Sequence, residues 1–168
     1  MPRLILIRHA KSAWDDPEAE DHDRVLNERG RRAASALGAW LAEKRIVPGQ
    51  ALVSDSARTV ETWQRIAAAL PAAPEAELVP ALYLAGPARM LDVLRAHGRA
   101  DTVAMVGHNP GIGEFAAEMV AAPADHPRFA HYPTGATTVM DLPVPPWSEV
   151  AFGTAKVADF IVPRDLTD

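Results

Sequence analysis

The chain has 168 residues, 48% hydrophobic and 23% charged, which fits one globular domain over residues 1–168 with a substantial core. Its net charge of −5 comes without a dominant basic block, which excludes the broad phosphate-neutralising surface of a nucleic-acid binder but leaves room for a small local anion site. There is no cysteine, so disulfides, thiol nucleophiles and thiolate metal ligands are excluded, and no apolar run approaches the roughly 20 residues that cross a bilayer.

Leu4 to Ile7 is a short branched apolar run, read as a buried strand of a parallel sheet. It is too short for a signal-peptide core and runs straight into Arg8-His9, so a cytoplasmic protein without a membrane partner is expected. Residues 10–25 are polar and acidic and read as a loop. Asn27 is placed to cap a helix from Glu28 to about Lys44, whose inner face carries Ala33, Leu37, Trp40 and Leu41.

Pro48-Gly49 breaks the chain before a second strand, Ala51 to Val53, and a turn over Ser54 to Ala57 leads into a helix ending near Leu70. Leu78-Val79 reads as a short third strand. Pro87 suits the first turn of a helix that ends at Gly98. Thr102 to Val106 is the clearest later strand, followed by Gly107-His108-Asn109-Pro110-Gly111 and a helix through Phe115, Met119 and Val120. Residues 123–133 read as loop. Ala136 to Leu142 and roughly Glu149 to Phe160 read as closing strands around a turn at Pro143 to Pro146. Strand and helix alternate, which predicts a three-layer α/β/α sandwich with a mostly parallel central sheet.

In such a sheet the carboxyl ends of the strands share one edge, and ligands bind there. The first strand ends at Arg8-His9, the second leads to Arg58 at a helix start, and a later one ends at Gly107-His108. Each residue alone has a bland reading as a solvated or turn residue. Together they gather cations that need an anion, and a phosphoryl group matches the guanidinium fork.

These segments resemble the histidine phosphatase superfamily. LILIRHAKS, residues 4–12, is similar to its Arg-His strand end; SDSARTVETW, residues 54–63, to its Ser-x-x-x-Arg segment; and VGHNPG, residues 106–111, to the segment holding its second histidine. Leu26 to Gly30 and Pro133 to Ala136 also fit, so the resemblance runs from residue 4 to about 140. Ala10-Lys11-Ser12 and the short chain resemble the SixA-type phosphohistidine phosphatase branch of this phosphoglycerate mutase-like family.

The resemblance implies a catalytic set of His9, Arg8, Arg58 and His108. His9 is the expected nucleophile and transient phosphoryl carrier, while Arg8, Arg58 and His108 bind the non-bridging oxygens. A nucleophilic imidazole must be neutral, with its other nitrogen donating to a fixed acceptor. The implied scheme needs no metal and no cofactor, and its product is inorganic phosphate. Around this set, Ser12 either donates to a phosphate oxygen or satisfies its turn. Lys11 either steers acidic substrates or is simply solvated, and Trp14 either walls the pocket or pins its loop. Asn109 shapes the turn before Pro110 or joins the pocket, and Thr134 is expected to bring its backbone near the phosphate. His22, His97, His126 and His131 show no metal-ligand spacing and are read as surface or loop residues.

One departure narrows the substrate. Larger family members place an acid after the third strand, whereas Leu82-Tyr83-Leu84-Ala85-Gly86 has none. An alkoxide leaves poorly without a proton, while the P–N bond of phosphohistidine is labile. The expected substrate is therefore a phosphohistidine protein. A general small-molecule phosphomonoesterase and a non-catalytic phosphate-binding module are the alternatives. Asp15 and Asp16 are the candidate substitute proton donors on the loop after His9.

Overall fold

A computed structural model describes residues 2–143 and 145–167. Its order is β1 (Arg3–Arg8), α1 (Glu28–Glu43), β2 (Gln50–Val53), α2 (Ala57–Ala67), β3 (Ala76–Leu78), α3 (Pro87–His97), β4 (Thr102–Gly107), α4 (Gly111–Met119), β5 (Thr137–Asp141), β6 (Lys156–Ile161) and α5 (Pro163–Thr167). The described strands form one sheet ordered β3-β2-β4-β1-β5-β6. Pairings β2–β3, β2–β4 and β1–β4 are parallel, while β5 runs antiparallel to both β1 and β6. This is the expected mostly parallel α/β fold.

Strand β1 shows why the sheet is central. Side chains alternate across a strand, so Leu4 and Leu6 enter one apolar cluster and Ile5 and Ile7 the other. All four are fully buried. The first cluster is completed by α3 and α4 through Met90, Leu94, Phe115 and Met119, and the second by α1 and α2 through Leu37, Leu41, Trp63 and Ile66.

Local signals place the helix starts. The Asn27 side chain accepts from the Gly30 amide at 2.8 Å, and the Ser56 hydroxyl accepts from the Thr59 amide at 3.4 Å. Each cap satisfies an otherwise orphaned amide of the first turn.

The third strand lies slightly earlier than expected, over Ala76–Leu78. The last strand is shorter than the run from Glu149 to Phe160. Trp147–Glu149 forms a 3-10 turn, and the strand begins at Lys156. Trp147 explains the difference: its ring is buried and its indole N–H donates to the Ala100 carbonyl at 2.6 Å, tying this stretch to another part of the fold. The closing helix α5, packed on α1, was not expected. Among the described residues, no helix is long and apolar enough to cross a membrane.

Candidate active site

Strand register builds the centre of the site. Arg8 pairs with Gly107 across β1 and β4, so the next residues, His9 and His108, leave adjacent strands side by side. Their ring centroids are 5.4 Å apart. The His9 amide donates to the Gly107 carbonyl at 3.1 Å, which carries the pairing one residue beyond the strand. Both rings are buried, at 6% and 1% exposure.

His9 has a fixed tautomer. Its Nδ1 lies 2.7 Å from the Ala10 carbonyl oxygen, which can only accept. Nδ1 therefore carries the proton, and Nε2 of the neutral ring keeps its lone pair. This is the fixed acceptor that the sequence left unnamed. Burial pulls the His9 pKa down to about 4; Arg58, Arg8 and Arg24 push the same way, and the Ala10 bond opposes them. His9 is thus neutral at pH 7.

His108 is held from both sides. Arg58 Nη2 donates to its Nδ1 at 3.3 Å, so Nε2 carries the proton and donates to the Ser54 hydroxyl at 2.8 Å. Burial lowers its pKa to about 3, with His9, Arg58 and Arg8 adding to the effect and Asp21 opposing it.

Arg58 is only 2% exposed and stands in the first turn of α2. The positive end of a helix dipole disfavours a cation there. Asp21 compensates: its backbone carbonyl accepts from Arg58 Nη1 at 2.6 Å and its carboxylate from Nη2 at 2.9 Å. The same carboxylate accepts from Arg24 Nη2 at 3.1 Å and from the Tyr83 hydroxyl. These contacts hold the Asp21 pKa well below the usual carboxylate range, with the Tyr83 hydrogen bond the largest cause.

Arg8 donates through Nη1 to the Tyr132 carbonyl at 3.2 Å, and burial lowers its pKa. Among the described residues, the buried Nε atoms of Arg8, Arg24 and Arg58 have no hydrogen-bond partner. Three guanidinium groups that keep an unused donor therefore share one pocket.

That pocket measures about 340 Å³ and is lined by Arg8, His9, Arg58 and His108 together with Lys11, Ser12, Trp14, Asn109 and Thr134. Every one of these was singled out from the sequence. Ser12 is buried and its hydroxyl accepts from Arg24, which leaves its own proton to donate. Trp14 is 78% exposed, with the Arg24 guanidinium stacked 3.6 Å above its ring. Asn109 does both things considered for it. It lines the pocket and braces the turn, donating to the Tyr132 carbonyl at 3.0 Å and accepting from the Gly113 amide at 3.2 Å. Beyond Thr134, Gly135 adopts φ +77° and its amide donates to the carbonyls of both Arg8 and His9, a close approach suited to glycine.

Asp15 and Asp16 are not brought to this pocket. Both are exposed and neither lines it; Asp16 instead accepts from the Glu18 amide at 3.0 Å in its own turn. The carboxylate that does line it is Asp21, and with Arg24 and Leu84 it completes the wall. Sequence reasoning missed all three, and it missed the contacts of Ser54 and Tyr83 with His108. Of the other histidines, His22 contacts Asp55 at 3.0 Å and packs on Tyr83, while His126 contacts Asp165 at 3.0 Å.

Comparison with known proteins agrees with this geometry. The family profile described as Histidine phosphatase superfamily (branch 1) matches residues 4–82, the segment that carries His9, Asp21 and Arg58. An uncharacterized protein of Mycobacterium tuberculosis is 30% identical over 94% of this chain and 100% of its own length. An uncharacterized chloroplastic protein of Arabidopsis thaliana is 32% identical over 71% of this chain, which spans 60% of that longer relative. Among solved structures, SixA from Agrobacterium tumefaciens superposes with a TM-score of 0.77 at 28% identity, over 96% of this chain and 98% of that one. SixA from Nakamurella multipartitia gives 0.83 at 26% identity, over 96% of each. A mostly parallel sheet that gathers two histidines and two arginines at one rim fits a phosphatase. The chain belongs to the histidine phosphatase superfamily, in its SixA-type branch.

Proposed function

We propose that this protein is a phosphohistidine phosphatase with His9 as nucleophile, acting on the P–N bond of phosphorylated proteins. The observation that carries the reading is the 2.7 Å contact of His9 Nδ1 with the Ala10 carbonyl, which leaves Nε2 unprotonated inside a cationic pocket.

In this reading the phosphoryl group lies among Arg8, Arg58 and His108. His9 Nε2 attacks phosphorus, the P–N bond to the substrate breaks, and the departing imidazole takes a proton from solvent on its released nitrogen. Charge spreads over the non-bridging oxygens in the transition state, where the two guanidinium groups stabilise it. Neutral His108 accepts from Arg58 at Nδ1, so it donates to a phosphoryl oxygen only after taking up a proton there, which the anion's charge favours. Water then attacks phospho-His9, releasing orthophosphate and restoring the free imidazole. Ser12 supplies a hydroxyl proton to an oxygen of the bound group.

Asp21 supports the choice of bond. It is the carboxyl group in the pocket lining, yet Tyr83, Arg24 and Arg58 keep it ionised, so it has no proton to give a leaving alkoxide. Imidazole needs less help. The test is a direct comparison of rates on a phosphohistidine protein, a phosphoserine peptide and a sugar phosphate. Phosphohistidine is expected to be cleaved fastest by a wide margin; equal or reversed rates would indicate the small-molecule phosphomonoesterase instead.

A further inference from the structure

Lys11 and Thr134 line two pockets at once. On one side is the pocket of His9. On the other is a concavity of about 250 Å³ walled also by Arg29, Arg128, Pro163 and Arg164. Four cationic side chains thus surround one small cavity, and among the described residues no carboxylate lines it, in a chain whose net charge is −5.

Six of the eleven arginines outside this cavity are paired within the described residues. Arg3, Arg24, Arg31, Arg58, Arg65 and Arg99 each pair with a carboxylate. Among the described residues, Lys11, Arg29 and Arg128 form no ion pair. Arg29 also sits in the first turn of α1, where the helix dipole repels a cation. Gathering like charges there costs free energy that a bound anion recovers.

The walls are rigidly joined to the phosphoryl pocket. A Cβ on Gly30 would run into the Lys11 backbone, so the start of α1 is pressed against the loop after His9. A Cβ on Gly135 would meet Pro163 Cγ at 2.5 Å, so α5 is pressed against the loop of Thr134. The two pockets therefore keep a fixed relation, as two subsites for one ligand require.

We propose that this basic cavity is a second anion subsite, which takes an acidic group of the substrate while the phosphoryl group occupies the pocket of His9. The ligand chemistry is a carboxylate or a second phosphate. The proposal rests on the phosphatase reading above and extends it: preferred substrates carry a second negative charge near the scissile phosphoryl group.

Two arms separate the sources, each with wild type and an Arg29→Gln/Arg128→Gln variant that leaves the His9 pocket untouched. The first compares two phosphohistidine peptides, one with Glu and one with Gln on both sides of the phosphohistidine. The second measures calorimetric binding of tripolyphosphate against orthophosphate, with no turnover involved. Wild type is expected to favour the Glu peptide by about fivefold in kcat/KM, expressed in KM, or to bind tripolyphosphate tighter by a similar factor. The variant loses that preference and keeps its kcat on the Gln peptide. A preference in the peptide arm assigns a protein carboxylate, and one in the binding arm alone a second phosphate. No preference in either arm, or one that survives in the variant, overturns the subsite. If neither peptide is cleaved while tripolyphosphate selectivity is present and lost in the variant, the phosphohistidine reading falls and the subsite stands.

Discussion

Asp21 grips Arg58 twice, through its backbone carbonyl at 2.6 Å and its carboxylate at 2.9 Å. The buried guanidinium is thereby oriented before any phosphate arrives. The same carboxylate places a negative charge among the cations and neutral imidazoles of the pocket.

Replacing that charge separates the two effects. Asp21→Asn keeps the backbone contact and an acceptor oxygen for Arg58, while removing the repulsion of an incoming anion. Orthovanadate is expected to inhibit this variant about threefold to tenfold more tightly than wild type. Weaker inhibition would show that orientation of Arg58 by the charged carboxylate dominates.

The histidine protonation states set a pH dependence. His9 and His108 fall to about 4 and about 3, below the ordinary value of 6.5. Between those values the unfolded chain binds more protons than the folded one, so stability rises with pH there. The contribution of each ring is complete above 6.5 and is lost as pH falls toward its folded value. Ring resonances of both histidines should show no titration above pH 5, and thermal stability should drop between pH 6.5 and 4. A His9→Gln variant should lose less stability across that window. Titration of His9 near 6.5 would contradict the neutral, buried nucleophile.

Ser54 controls the second histidine. It is fully buried and accepts the His108 Nε2 proton at 2.8 Å. Ser54→Ala leaves a buried donor without an acceptor, at a cost of about 1–3 kcal/mol. It also frees the ring to turn away from Arg58, and kcat should fall by about tenfold as positioning is lost. Denaturant unfolding and steady-state kinetics measure the two effects; an unchanged kcat would show that Arg58 alone orients His108.

The parts of this site legible in the sequence are those made by local rules. Leu4 to Ile7 announces a strand, its end fixes Arg8 and His9, and Gly107-His108 ends the neighbouring strand. Asn27 occupies a cap position that short-range chemistry favours, whereas the Ser56 cap lies in a stretch read only as a turn. Asp21 was illegible for a physical reason. It stands 37 residues from Arg58, in a loop that also holds Asp15, Asp16, Glu18, Glu20 and Asp23. Nothing local marks which of these carboxylates turns inward; only the 3-10 turn at Asp21–Asp23, held through Tyr83 and the contact of His22 with Asp55, decides it. Ser54 falls in the Ser-x-x-x-Arg segment, but its contact with His108, like that of Tyr83, was hidden because His108 is distant in sequence. The basic cavity joins four separated segments and has no linear signature.

In the proposed reaction the phosphoryl group passes through His9 Nε2. That route is tested most directly by rapid quench of the enzyme with a radiolabelled phosphohistidine protein, followed by mapping of the protein-bound label. An acid-labile, base-stable label is expected on His9, absent in His9→Ala, together with loss of turnover in that variant. Label on another residue, or turnover that persists in His9→Ala, would contradict that route.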